Sequence, residues 1–152
     1  MKYLTWCIVF PCLAVLSAEA ETTAPTADDW YKNQYAPLWE ENSWDKLEEV
    51  AGFYDKTISY HPLDGNITTI RSRPWLAENL QEWKSDGWLG SDIAAFQSDQ
   101  LNLSTTTFKI MWRDWYVDGH EEFSCGWYMA DFKGDGWKFS QYVEIDCAEH
   151  DL

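Results

Sequence analysis

Two side chains in this sequence are of the types that move protons near neutral pH. His61 stands directly before a proline in Tyr60-His61-Pro62, and an imidazole that titrates near neutrality can act as a general base. Asp131 lies late in the segment Cys125–Phe132. With Tyr54 or Tyr128 as a third member, the pair makes an acid/base set suited to proton abstraction or dehydration. Each residue also has a plainer reading. Strand parity groups His61 with Thr57 and Ser59, against Ile58 and Tyr60, which suits a surface histidine. Asp131 is close in sequence to Lys133 and Lys138, partners for an ion pair at a hairpin rim. Arg113 and Asp114, inside Trp112-Arg113-Asp114-Trp115, suit an ion pair beside aromatics. Alternatively, the Arg113 guanidinium holds a ligand carboxylate.

Metal chemistry finds little support. The three histidines, His61, His120 and His150, lack ligand spacing. The stretch Asp131-Phe132-Lys133-Gly134-Asp135-Gly136 opens like a calcium loop, but Lys133 takes its third position and Tyr142 stands where a bidentate glutamate belongs. It reads as a hairpin turn. There is no nucleophile elbow, phosphate loop or nucleotide fingerprint. No metal and no cofactor are expected.

The elements that must position these residues change character along the chain. Asp28 and Asp29 suit a helix start, and Trp30, Tyr31, Gln34, Tyr35, Leu38 and Trp39 follow at helical spacing, with a kink expected at Pro37. Asn42-Ser43 offers a new cap ahead of Trp44, Leu47, Ala51 and Tyr54. Lys56–His61 reads as a short strand. Ser72 caps a second helix with Trp75, Leu76, Leu80 and Trp83 on its apolar stripe, closed by Gly87. Strands are expected near Asp92–Leu103, over Thr105–Val117, over Glu121–Phe132 and over Trp137–Cys147, with Asp118-Gly119 as a hairpin turn. On the second of these, Phe108, Ile110, Trp112, Asp114 and Tyr116 share one face. Helices followed by a meander of strands make an α+β fold.

The chain has 152 residues and a net charge of −15, from 11 Lys+Arg against 26 Asp+Glu. Such a surface repels phosphate backbones, so nucleic acid is excluded as a natural partner. Residues 1–20, with Lys2, an apolar run and Ala18-Glu19-Ala20, read as a secretory signal peptide. The run is too short to span a membrane. The expected product is secreted or periplasmic, with residues 21–27 a disordered leader and residues 28–150 one domain.

Cys125 and Cys147 are the cysteines left after removal of that peptide, and export permits a disulfide between them. Register arithmetic sets a condition. If Phe132 faces Trp137, Cys125 falls opposite Glu144 and Cys147 is turned to the other face. One bulged residue brings the two cysteines to diagonal positions on one face.

Taken in order, the long N-terminal helices, "FYDKTISYHPLDG", "SRPWLAENLQEW", "MWRDWYVDG" and "CGWYMADFKGDGWKFSQYVEIDC" resemble the NTF2-like superfamily, in particular its SnoaL-like branch. The resemblance spans roughly residues 28–150. It implies a cone: N-terminal helices packed on a curved antiparallel sheet that encloses a mostly apolar pocket. In the ketosteroid isomerases of that superfamily a catalytic carboxylate precedes a proline at the strand-end turn, and His61 takes the matching position here. Asp131 corresponds to a place where related pocket enzymes carry an acid. Tyr54, Tyr60, Trp112, Arg113, Trp127 and Tyr128 are the expected pocket side chains. The expected ligand is small and largely apolar, with metal-free acid/base chemistry of the isomerase, dehydratase or cyclase type. Two other readings remain open: a non-catalytic envelope module that binds or assembles as a homodimer, and carbohydrate binding by exposed tryptophans.

Overall fold

The structure, a computed structural model, describes residues 24–40 and 43–149. The expected signal peptide and residues 21–23 lie outside the described residues.

Thr26 caps the first helix. Its Oγ1 accepts from the Asp29 N–H at 3.1 Å and its hydroxyl donates to the Asp29 carboxylate at 2.8 Å. Helical backbone then runs over residues 27–39, as α1 (Ala27–Trp30), a π-helical turn (Tyr31–Tyr35) and a 3-10 turn (Ala36–Trp39). The π turn adds a residue to the repeat and brings Tyr31, Tyr35, Ala36 and Trp39 all to the buried side. Pro37 sits in the first positions of the tight turn, where its missing N–H costs nothing. The expected leader ends earlier than residue 27: Ala27 is already buried, and the Pro25 carbonyl accepts from the Trp137 indole at 3.1 Å.

Beyond Trp39, a 3-10 turn (Ser43–Asp45) and the short α2 (Leu47–Ala51) lead to β1 (Tyr54–His61). A four-residue strand absent from the sequence expectation, β2 (Thr68–Arg71), pairs with it antiparallel. Helix α3 (Ser72–Ser85) follows. Ser72 is its first residue rather than its cap, and its hydroxyl donates to the Asp55 carbonyl, tying the helix to β1. The rest is a meander: β3 (Trp88–Asn102), β4 (Thr105–Tyr116), β5 (Glu121–Lys133) and β6 (Gly136–Ile145).

The six strands form one sheet in the order β2-β1-β6-β5-β4-β3. It is not wholly antiparallel, because β1 lies parallel to β6. The crossover through β2, α3 and the meander returns the chain to β1 in the same direction. Shifts of register at Ile93/Ala95 and Met129/Ala130 supply the curvature.

The helical run packs across the concave face. Ring centroids of Trp30 and Tyr35 lie 4.8 Å and 4.7 Å from that of Phe139, and Tyr31 lies 4.9 Å from Phe108. Tyr31, Phe108 and Phe139 are wholly buried. Gly90 permits this packing: a Cβ there would come 2.0 Å from the Glu40 carbonyl oxygen. One end of the cone is thus filled with aromatic rings, and the other stays open.

Candidate functional site

At the open end the concave face encloses a cavity of about 470 Å³, a size that suits a small molecule. Tyr35 and Trp39 bound it from the helical run, Trp75, Leu76 and Trp83 from α3, and Tyr54, Trp88, Trp112, Tyr128 and Tyr142 from the sheet. Tyr60, Tyr142 and Tyr128 stand on neighbouring strands with their rings stacked, 5.8 Å and 4.7 Å between centroids. Gly126 makes room for this stack. A Cβ on it would lie 2.8 Å from Tyr142 Cε2 and 3.0 Å from Tyr128 Cε2. Deeper in, the Tyr35 and Tyr54 hydroxyls sit 2.5 Å apart, and burial pushes both phenols well above their ordinary pKa.

Four carboxylates reach the cavity: Asp114, Glu122, Glu144 and Asp146. Asp114 is held most firmly. It accepts from the Ser124 hydroxyl at 2.6 Å and from the Ser91 hydroxyl, while the Trp88 indole N–H donates to Ser91 Oγ at 3.1 Å. Burial raises its pKa above the ordinary carboxylate value, and the hydrogen bonds from Ser124, Ser91 and Trp88 offset part of that rise. Glu144 accepts from the Tyr60 hydroxyl at 2.5 Å and from the Leu63 N–H at 3.1 Å.

The expected site residues divide by strand parity. Tyr54, Trp112 and Tyr128 line the cavity. Tyr60 stands behind the lining, packed on Trp75 and Tyr142. Arg113 is one residue from Asp114 and therefore on the convex face, where its guanidinium pairs with Asp92 at 2.5 Å. The expected Arg113–Asp114 ion pair is replaced by this one. Trp127 also faces outward, paired with Lys109 and Val143.

His61 and Asp131 do not meet. His61 pairs with Val143 in the register of β1 and β6, and its Nε2 lies 2.9 Å from the Gln141 amide nitrogen on the convex face. Asp131 is four positions along β5 from Trp127 and on the same outer face. Its carboxylate accepts from the Thr105 hydroxyl at 2.9 Å. Neither lysine pairs with it: Lys133 pairs with Asp55, and Lys138 donates to the Gly52 carbonyl at 2.6 Å.

Sequence reasoning grouped Asp114 with Phe108, Ile110, Trp112 and Tyr116 on one strand face but gave it an ion-pair role, and as site residues it overlooked Ser91, Glu122, Ser124, Tyr142 and Glu144. The signal for two of these was present. With Asp118-Gly119 as the turn, Asp114 registers with Glu122 and Trp112 with Ser124, so both share the inner face. Among the described residues, no three His, Cys, Asp or Glu side chains converge to hold a metal ion.

Cys125 and Cys147 form a disulfide with Cα atoms 5.3 Å apart. The bulge that this pairing requires is present. Met129 faces Gln141 and Ala130 faces Phe139, so Ser140 is the extra residue and Cys125 moves opposite Ile145. Both cysteines border the cavity mouth.

No protein-family model matches the sequence, and no curated protein matches it. Solved structures do. The chain is similar to an NTF2-like protein with a cystatin-like fold from Novosphingobium aromaticivorans, at 14% identity over 82% of this chain and 85% of that one, with a TM-score of 0.59. A domain of unknown function with a cystatin-like fold from Nostoc punctiforme gives 14% identity, 82% of each chain and a TM-score of 0.57. A candidate polyketide cyclase from Xanthomonas campestris gives 13% identity, 77% of this chain and 88% of that one, and a TM-score of 0.53. The chain has the NTF2-like α+β fold, in agreement with the SnoaL-like resemblance of its sequence.

Proposed function

We propose that this protein is an exported pocket domain that binds one small, largely apolar molecule inside its cone. The observation that carries this reading is the cavity of about 470 Å³ walled by Trp39, Trp75, Trp83, Trp88, Trp112 and the stacked tyrosines. Six-membered rings on several sides present wide, rigid apolar surface at low entropic cost to a flat or branched ligand. Export is supported by the sequence of residues 1–20 and is compatible with the Cys125–Cys147 disulfide, a bond favoured in oxidising compartments.

Acid/base chemistry in this pocket falls to Asp114, the half-buried carboxylate at the cavity wall, rather than to His61 or Asp131, which lie outside the lining. A carboxylate whose pKa is raised by burial is protonated more readily, which suits proton exchange with a bound molecule. A row of tryptophans exposed for sugar stacking is absent among the described residues, in which every tryptophan is buried or half-buried.

Native mass spectrometry of the purified protein tests the binding reading. The expected result is a small-molecule adduct on the wild type that is lost in Ser124→Trp, a variant that sets an indole across the cavity rim, while the far-ultraviolet circular dichroism stays unchanged. An adduct that survives in Ser124→Trp would place the ligand elsewhere. Titration of the wild type with apolar aromatic probes, read by tryptophan fluorescence, provides the second measurement, and a lack of saturable binding would overturn the reading.

A further inference from the structure

We propose that the ligand of this pocket carries a positive charge: an organic ammonium on an apolar or aromatic body, with Asp114 as its counter-charge. The inference rests on the pocket reading above and names the ligand class for that same cavity.

The first observation is the one-sided charge of the lining. It holds Asp114, Glu122, Glu144 and Asp146, and no Lys, Arg or His. The second is how these carboxylates are held. Asp114 is fixed by two serine hydroxyls, and Glu144 by a tyrosine hydroxyl and a backbone N–H, all neutral donors. Asp146 accepts from the Ala148 N–H at 2.9 Å. Among the described residues no Lys, Arg or His nitrogen comes within 4.0 Å of Asp114, Glu144 or Asp146. Glu122 alone has such a neighbour, with His120 Nε2 at 3.4 Å. The guanidinium nearest to Asp114 in sequence, Arg113, is turned to the convex face and occupied by Asp92. The carboxylates are oriented but not neutralised.

The third observation is independent of charge. The cavity wall beside Asp114 is built from Trp88, Trp112, Tyr116 and Tyr128, rings whose faces attract cations. A carboxylate at partial burial gains more from a cation than one in water, because the effective dielectric is lower. A neutral hydrocarbon would fill the aromatic wall yet further desolvate these carboxylates with neutral donors alone and no counter-charge. A cation uses both features at once. The surrounding net charge of −15 also raises the local concentration of cations.

A charge-isostere pair tests this: (phenylpropyl)trimethylammonium and the hydrocarbon in which a quaternary carbon replaces its nitrogen, each titrated against the mature protein by tryptophan fluorescence. The ammonium is expected to bind about tenfold tighter or better. Asp114→Asn is expected to remove most of that preference, weakening the ammonium and, by relieving the desolvation of a carboxylate, strengthening the hydrocarbon. Glu144→Gln, at the other side of the cavity, gives a second reading of the same preference. Hydrocarbon binding equal to or tighter than ammonium binding overturns the proposal and leaves the pocket reading standing. An ammonium preference that persists undiminished in both variants also overturns it. Absence of binding by either probe overturns both.

Discussion

Asp114 is a carboxylate kept in a place that does not favour its charge. Its folded pKa lies above the unfolded value, so protonation is easier in the native state. The folded protein therefore binds more protons between the two values, and stability falls as pH rises through the folded pKa. The charged and titratable groups facing it are Glu122, Tyr116 and Tyr128, with Ser91, Ser124 and Trp88 as neutral donors. Asp114→Asn is expected to raise the melting temperature at neutral pH and to lose that advantage below the unfolded carboxylate range. Paired thermal melts at pH 7 and pH 3 measure the difference directly. Gly126 fails in the opposite sense. Gly126→Ala drives a methyl into the Tyr128–Tyr142 stack and is expected to cost about 1–3 kcal/mol in urea unfolding, the usual range for overpacking.

At the level of elements, the disulfide fastens β5 to the turn after β6 across a sequence separation of 22. Closing a loop of that order restricts the unfolded chain by about 3 kcal/mol. Cys125→Ser with Cys147→Ser is expected to lower stability by about 2–4 kcal/mol, and reductant should shift the wild type to the same value and leave the double variant unmoved.

The same hairpin indicates what was legible beforehand. Alternation grouped Phe108, Ile110, Trp112 and Tyr116 on one face of β4, because a strand has only two faces. Met111, Trp115 and Val117 made the other face partly apolar too, and only the structure shows Phe108, Ile110 and Trp112 buried. The Asp118-Gly119 turn then set the register with β5. By contrast, the parity of Cys125 and Cys147 asks for one bulged residue without placing it at Ser140, and nothing local announces the π turn at Tyr31–Tyr35. Both are responses to packing against distant strands. His61 and Asp131 drew attention by chemical type, yet their roles depend on parity and cross-strand partners: one residue along the strand separates Tyr60 behind the cavity wall from His61 outside it. Asp114 was hidden by the opposite error, since a charge beside Arg113 in sequence invites pairing that the pleat forbids.

For the molecule as a whole, a charge of −15 on a small domain makes self-repulsion a global term. Among the described residues the ion pairs are few and mostly exposed, such as Arg73–Glu48 and Lys32–Asp28, and contribute little each. Raising ionic strength should therefore screen more repulsion than attraction, and the melting temperature is expected to rise between low salt and physiological salt, where the screening length shortens to about 8 Å. The cationic probe should behave oppositely, binding more weakly as salt increases. Within the described residues no helix is long and apolar enough to cross a membrane.

The parallel pairing of β1 with β6 also governs the order in which this molecule can be made. Tyr54 must find Phe139, and His61 must find Val143, after nearly the entire domain has emerged. The β3–β4–β5 meander can pair as soon as it is synthesised, since its contacts are close in sequence, but β1 has no neighbour on one edge until the last strand arrives. Long-range closure of this kind slows folding and leaves the early segments unpaired for longer. A chain that waits for its final strand stays open until its synthesis is nearly complete, and Cys125 and Cys147 come within bonding reach only once β5 and β6 have met.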